Sequence, residues 1–148
     1  MDTTTAPLEQ PAVRIDARGL LAEAGTDIRS LSTAALGRLG EEIAARYLRS
    51  RGIRVIDRNV RLHRGEIDLV ALDGDTLVII EVKTRRTLIT GVPQAAVTAQ
   101  KLRRLRKLTG LYLAEHSPPH RDVRIDVVAV LAHADGTLLL EHLQGVGA

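Results

Sequence analysis

Glu66, Asp68, Glu81 and Lys83 are four ionisable residues in a stretch that otherwise reads as the interior of a sheet. Two apolar runs rich in β-branched residues, 65–72 and 76–85, flank Asp73-Gly74-Asp75. That pattern predicts a β-hairpin with a two-residue turn. With Asp73 and Gly74 as the loop, Leu72 pairs with Asp75, Asp68 faces Ile79 and Glu66 faces Glu81. Side chains alternate along a strand, so all four polar residues fall on one face, with Asp68 diagonal to Glu81 at roughly 7 Å between Cβ atoms. A solvent-facing hairpin with scattered charges would explain any one of these acids. It fits poorly with Leu77-Val-Ile-Ile-Glu-Val-Lys83, which is apolar on both faces, as in a buried central strand. Carboxylates there are costly unless paired or bound to a cation. Ligands made only of oxygen select hard cations, hence Mg²⁺ or Mn²⁺.

These residues need supporting elements. Ser32 or Thr33 can cap a helix that runs to about residue 50 and stops at Gly52. Leu36, Leu39, Ile43, Ala44, Tyr47 and Leu48 form its apolar stripe. Gly37 and Gly40 lie on or near that stripe, where they would let the helix backbone approach a sheet closely. Glu41 sits at the edge of the stripe, either solvated or overhanging the hairpin carboxylates, and Glu42 points to solvent. Residues 53–60 read as the first strand. Arg58, Arg61 and Arg64 follow as edge-protecting charges or as phosphate contacts.

Beyond the hairpin, a loop from Arg86 to Gly91 offers a place to touch a substrate backbone, and a second helix runs from about Pro93 to about Glu115. Val97, Leu105, Leu108 and Tyr112 form its stripe. Lys101 interrupts the stripe, either reaching to water or, with Gln100, towards the carboxylates. Arg103, Arg104, Arg106 and Lys107 occupy the opposite half of the wheel with no acid among them, the best phosphate-binding face in the chain. Residues 124–131 and 137–143 read as two more strands. Asp126 is expected to make a structural pair with an Arg. The order is helix, three strands, helix, strand, strand.

The 148 residues suit one domain with a single core. The absence of Cys excludes disulfides and thiolate metal sites, and five scattered His have no ligand spacing. No basic-then-apolar leader and no run of transmembrane length is evident, so a cytoplasmic protein without membrane insertion is expected. Net charge is +3. Residues 1–32 hold three Arg and five acids, leaving eighteen basic and thirteen acidic residues in 33–148. The basic charge therefore belongs to the folded part, and residues 1–32, without sustained periodicity, read as a flexible N-terminal extension. With two Tyr and no Phe or Trp, base stacking on aromatic platforms is disfavoured.

Asp68, twelve residues, then Glu81-x-Lys83 resembles the PD-(D/E)xK nuclease superfamily. Taken with Gly37-x-x-Gly40-Glu41, Arg58-Asn59-x-Arg61, Gly65-Glu66-Ile67-Asp68-Leu69, Glu81-Val82-Lys83-Thr84-Arg85 and Arg124-Ile125-Asp126-Val127-Val128, it is similar to the YraN-like family of small bacterial proteins, distant relatives of archaeal Holliday-junction resolvases. The likeness covers about residues 33–143. It implies an α/β, restriction-endonuclease-like αβββαβ core with a mixed central sheet flanked by helices. It also implies a Mg²⁺- or Mn²⁺-dependent endonuclease acting on branched or structured DNA. Asp68, Glu81 and Glu41 would hold the metal and Lys83 would serve catalysis, with Glu66, Gln100 and Lys101 behind them. Arg61, Arg64, Arg85, Arg103, Arg104 and Lys107 would contact nucleic acid. A non-catalytic nucleic-acid-binding accessory protein and an RNA-processing nuclease are the competing readings, and resolvase-like relatives imply a homodimer. Val60, Ile79 and Ile125 stand where such relatives often carry Trp or Phe.

Overall fold

The structure is a computed structural model that describes residues 8–9, 12–86 and 97–147. Its elements run β1 (Leu8–Glu9), β2 (Val13–Asp16), α1 (Arg18–Glu23), a 3₁₀ turn (Ile28–Ser30), α2 (Thr33–Ser50), β3 (Arg54–Leu62), β4 (Gly65–Asp73), β5 (Thr76–Arg86), α3 (Ala99–His116), β6 (Asp122–Ala132) and β7 (Thr137–Gln144). From α2 to β6 this is the expected αβββαβ order. The strands form one mixed sheet in the order β1-β7-β6-β5-β4-β3, with β2 also paired to β7. β5 and β6 are parallel and their neighbours antiparallel. A parallel pair needs a crossover, and α3 lies within it.

Each helix covers one face of the sheet. α2 is capped by Ser32, whose hydroxyl accepts from Ala35 N at 3.1 Å, and Gly52 at φ 79° turns the chain out of it. Leu36, Ile43, Ala44, Tyr47 and Leu48 pack on Leu69, Ala71, Val78, Ile80, Val128 and Val130. On the other face, Leu105, Leu108 and Tyr112 of α3 pack on Val60, Ile67, Val70, Leu77, Ile79, Ile125 and Val127. Pro93 and the loop beyond Arg86 lie outside the described residues, but α3 starts later than expected, at Ala99, behind an extended Thr98 that caps it by accepting from Lys101 N at 3.1 Å.

Three expectations are corrected. The two-residue loop is Gly74-Asp75, with Asp73 paired to Thr76; Gly74 takes φ 62° at the first loop position, which a glycine adopts without strain. Moving the loop by one residue shifts the pairing by two, which by itself turns no side chain over, and the register carried one residue past its last pair, Leu69 with Ile80, sets Asp68 level with Glu81 rather than diagonal to it. Next, residues 13–31 are not a loose extension. β2 pairs with the outer edge of β7 over Thr137–Leu140, Ala17, Leu21 and Ile28 are buried in the α2-side core, and Arg86 donates to the carbonyls of Ile28, at 2.6 Å, and Leu31. Last, Gly40 but not Gly37 lies at a close approach: a Cβ on Gly40 would clash with the Thr84 hydroxyl, whereas no described residue lies within 4 Å of one on Gly37.

Candidate active site at a strand fork

β4 and β5 separate at the acidic residues. Their pairing ends at Leu69 with Ile80. Beyond it β4 stays paired to β3 as far as Gly65 with Leu62, while β5 stays paired to β6 as far as Arg86 with Ala132. Asp68 stands in the crotch of this fork and its Oδ2 accepts from Val82 N at 2.8 Å. The side chain therefore takes a main-chain donor that the departing strand has left.

The expectation that the polar residues share one face is also corrected. Leu69 packs in the α2-side core, yet Ile67, two residues away, packs in the α3-side core. Alternation breaks at Asp68. It breaks opposite as well: Arg58 pairs with Glu42 of α2 at 2.7 Å, Val60 lies in the α3-side core, and Asn59 between them has φ 50°. Asn is among the few residues that tolerate this region.

The break distributes the acids over both sides of the sheet. On the α2 side the Asn59 amide, with its nitrogen turned towards them, donates to Glu41 Oε2 at 2.8 Å and Glu66 Oε1 at 3.1 Å. On the α3 side Glu81, the less exposed partner, accepts from Arg104 Nη2 at 2.5 Å. Lys83 lies against Lys101.

Electrostatics follow from this crowding. Burial first, then the charges of Glu41, Glu81 and Glu66, push the Asp68 carboxyl up to about 6 against the Val82 hydrogen bond. Burial and the Glu66 charge also raise Glu41, opposed by Arg58, Asn59 and Arg38. Contact with Lys101 and its charge, then burial and Arg85, pull Lys83 below the usual lysine range, with Glu81 opposing. Asp68 therefore carries negative charge that its protein neighbours do not neutralise.

That surplus suits a hard divalent cation. Among the described residues no three His, Cys, Asp or Glu side chains converge as a ready-made cage. Mg²⁺, however, is usually held by only one or two carboxylates and retains several waters. Asp68 and Glu81 could supply such a pair once Glu81 leaves Arg104, which now engages it as Asn59 engages Glu41 and Glu66.

The remaining expected residues divide. Arg64, Gln100, Arg103, Arg104 and Lys107 line one cavity with Leu108. Arg61 is 91% exposed and 4.0 Å from Glu66, and Arg85 is exposed near the end of β5. Arg106 leaves the basic face to donate to the Gly147 carbonyl at 2.7 Å. Glu42, expected in solvent, pairs with both Arg58 and Arg46.

Two features escaped the sequence reading. Asn59 joins Glu41 to Glu66, and only its place in the Arg58-Asn59-x-Arg61 motif pointed to it. Asp126 has its expected Arg, with Arg124 Nε at 2.9 Å, but also accepts from His142 Nε2 at 2.8 Å and Gly145 N at 3.0 Å. His142 in turn meets the Tyr47 hydroxyl at 3.4 Å, and Arg124 reaches Asp73 of the hairpin at 2.9 Å. This buried network braces β6 against α2, β4 and β7.

Residues 40–130 match the model of the Uncharacterised protein family UPF0102. The chain is similar to a UPF0102 protein of Beutenbergia cavernae, 54% identical over 113 residues that cover 76% of this chain and 96% of that protein. It is also similar to one from Arthrobacter sp., 54% identical over 112 residues (76% and 95%), and to one from Streptomyces griseus, 51% identical over 113 residues (76% and 95%). The matched segment contains the fork, Glu41, Asn59 and the basic residues of α3.

Proposed function

The chain belongs to the UPF0102 family, the family of the YraN-like proteins it resembles, and from its fork we propose a divalent-cation-dependent endonuclease that hydrolyses phosphodiesters in branched or structured DNA. The observation that carries this reading is Asp68, half-buried one residue beyond the last β4–β5 pair, with its carboxyl pushed up to about 6 by burial and by the charges of Glu41, Glu81 and Glu66.

Mg²⁺ or Mn²⁺ held by Asp68 and Glu81, with Glu41 through water, would supply Lewis-acid polarisation of the phosphate and an activated water. The chain's own residues do the rest. The Val82 amide fixes the Asp68 carboxylate in one orientation. Asn59 holds Glu41 beside the fork instead of leaving it to solvent. Lys83 places positive charge where the non-bridging phosphate oxygens gain negative charge, stabilisation that counts most in a partly dehydrated site. The exposed basic residues of α3 supply backbone contacts, whose contribution falls with salt.

The test is cleavage of labelled four-way-junction, flap, duplex and single-stranded DNA with Mg²⁺ or Mn²⁺, beside Asp68→Ala, Glu81→Ala and Lys83→Ala. Loss of cleavage by about 10²-fold or more in each variant is expected; undiminished cleavage by all three removes the assignment. One observation favours a second reading, a binding module that does not cleave: Glu81 is already engaged by Arg104. Junction binding without turnover in any metal would select it.

A further inference from the structure

Arg104 has two neighbourhoods of opposite charge. Its Nη2 donates to Glu81 Oε1 at 2.5 Å. It also lines, with Arg64, Arg103 and Lys107, a cavity of about 370 Å³ whose remaining lining is Gln100 and Leu108. Among the described residues, four cations surround that cavity and no carboxylate lines it. Arg104 is 43% exposed and Glu81 20%, so the arginine is the partner free to swing.

We propose, resting on the cation-dependent reading of the fork, that Arg104 couples nucleic-acid binding to cation binding. The cradle takes a backbone phosphate of duplex DNA next to the fork. Arg104, whose planar guanidinium binds phosphate oxygens as well as it binds a carboxylate, turns from Glu81 to that phosphate. Glu81 is thereby released opposite Asp68, where a second unneutralised carboxylate raises the attraction for a divalent cation. No bond is made or broken in this exchange; one ion pair is replaced by two. Linkage requires the effect to be reciprocal, so DNA tightens cation binding by the same factor by which the cation tightens DNA binding. Without DNA, the Arg104–Glu81 pair keeps the fork from assembling its cation site.

The test is Mn²⁺ titration of the full chain, followed by the electron paramagnetic resonance of free Mn²⁺, with and without a short blunt DNA duplex and with Glu81→Gln plus duplex as background. For the native protein, duplex is expected to tighten Mn²⁺ binding about tenfold, within the usual range of coupled sites. Arg104→Gln is expected to bind Mn²⁺ about tenfold more tightly than the native protein without DNA, with little further gain from duplex. Arg103→Gln removes the same charge from the neighbouring position but leaves the Glu81 pair intact; it should keep the native Mn²⁺ affinity and bind duplex more weakly. Equal Mn²⁺ affinity in native protein and Arg104→Gln, or equal tightening by duplex in Arg104→Gln and Arg103→Gln, overturns the coupling while leaving the cation site in place. Absence of Mn²⁺ binding in every protein, with or without duplex, overturns the cation reading of the fork together with the coupling.

Discussion

Asp68 accepts the Val82 amide hydrogen, at 2.8 Å, where β4 and β5 part, so one carboxylate both closes the end of the hairpin and faces Glu81. Its carboxyl is pushed from 3.8 up to about 6, and for an acid a raised folded value costs stability once the group ionises. The cost is absent below about pH 4, grows as pH rises towards 6 and is complete above it. Asp68→Asn keeps an acceptor for Val82 and should stabilise the protein without divalent cations by about 1–2 kcal/mol above pH 6, with solvent screening of the half-buried group allowed for. Urea unfolding at pH 4 and pH 7.5 checks this; the same gain at both values would contradict it.

Gly40 lets α2 touch β5 beside the fork. A methyl there would meet the Thr84 hydroxyl, a buried group without a hydrogen-bond partner among the described residues. Gly40→Ala should cost about 1–3 kcal/mol through overpacking. Thr84→Ala in the same chain should recover part of it, and a double-mutant cycle by thermal unfolding should show a coupling of at least about 0.5 kcal/mol.

Asp126 lies fully inside the network that braces the hairpin. Burial disfavours its charge, but hydrogen bonds from His142, Arg124 and Gly145 outweigh burial and hold its carboxyl below the usual range. The stability this contributes is full above the ordinary value of 3.8 and is lost as pH falls through the lowered one. Asp126→Asn leaves Arg124 without its buried partner and should cost about 3–5 kcal/mol at pH 7, with a smaller penalty in acid. Chemical denaturation against pH measures both.

Deleting the residues before Ser32 removes Ala17, Leu21 and Ile28 from the core and leaves the outer edge of β7 unpaired. A loss on the order of 3–5 kcal/mol is expected, together with self-association through the bare edge. Unfolding curves and sedimentation of the truncated chain read both; unchanged stability would show that the segment's burial contributes nothing.

The order of elements was legible because it rests on local chemistry. Ser32 and Gly52 bound a helix, and apolar runs on either side of Asp73-Gly74-Asp75 make a hairpin. The nearness of Asp68 to Glu81 outlasted a misplaced turn, level instead of diagonal, because shifting a two-residue loop by one moves the pairing by two and by itself turns no side chain over. Asn59 at positive φ, Ile67 and Leu69 on opposite sides, and the fork itself were not legible. Each arises where a strand is pulled by two neighbours at once, β4 towards β3 and β5 towards β6. The docking of residues 13–31 was hidden for the same reason, since sparse apolar residues acquire a buried face only when β7, more than a hundred positions later, presents its edge. The sequence determined which residues could do chemistry and which strands carry them. Tertiary structure decided which acid faces which cation, because contacts such as Arg104 with Glu81 depend on the packing of α3 across the sheet, and no local periodicity encodes that distance.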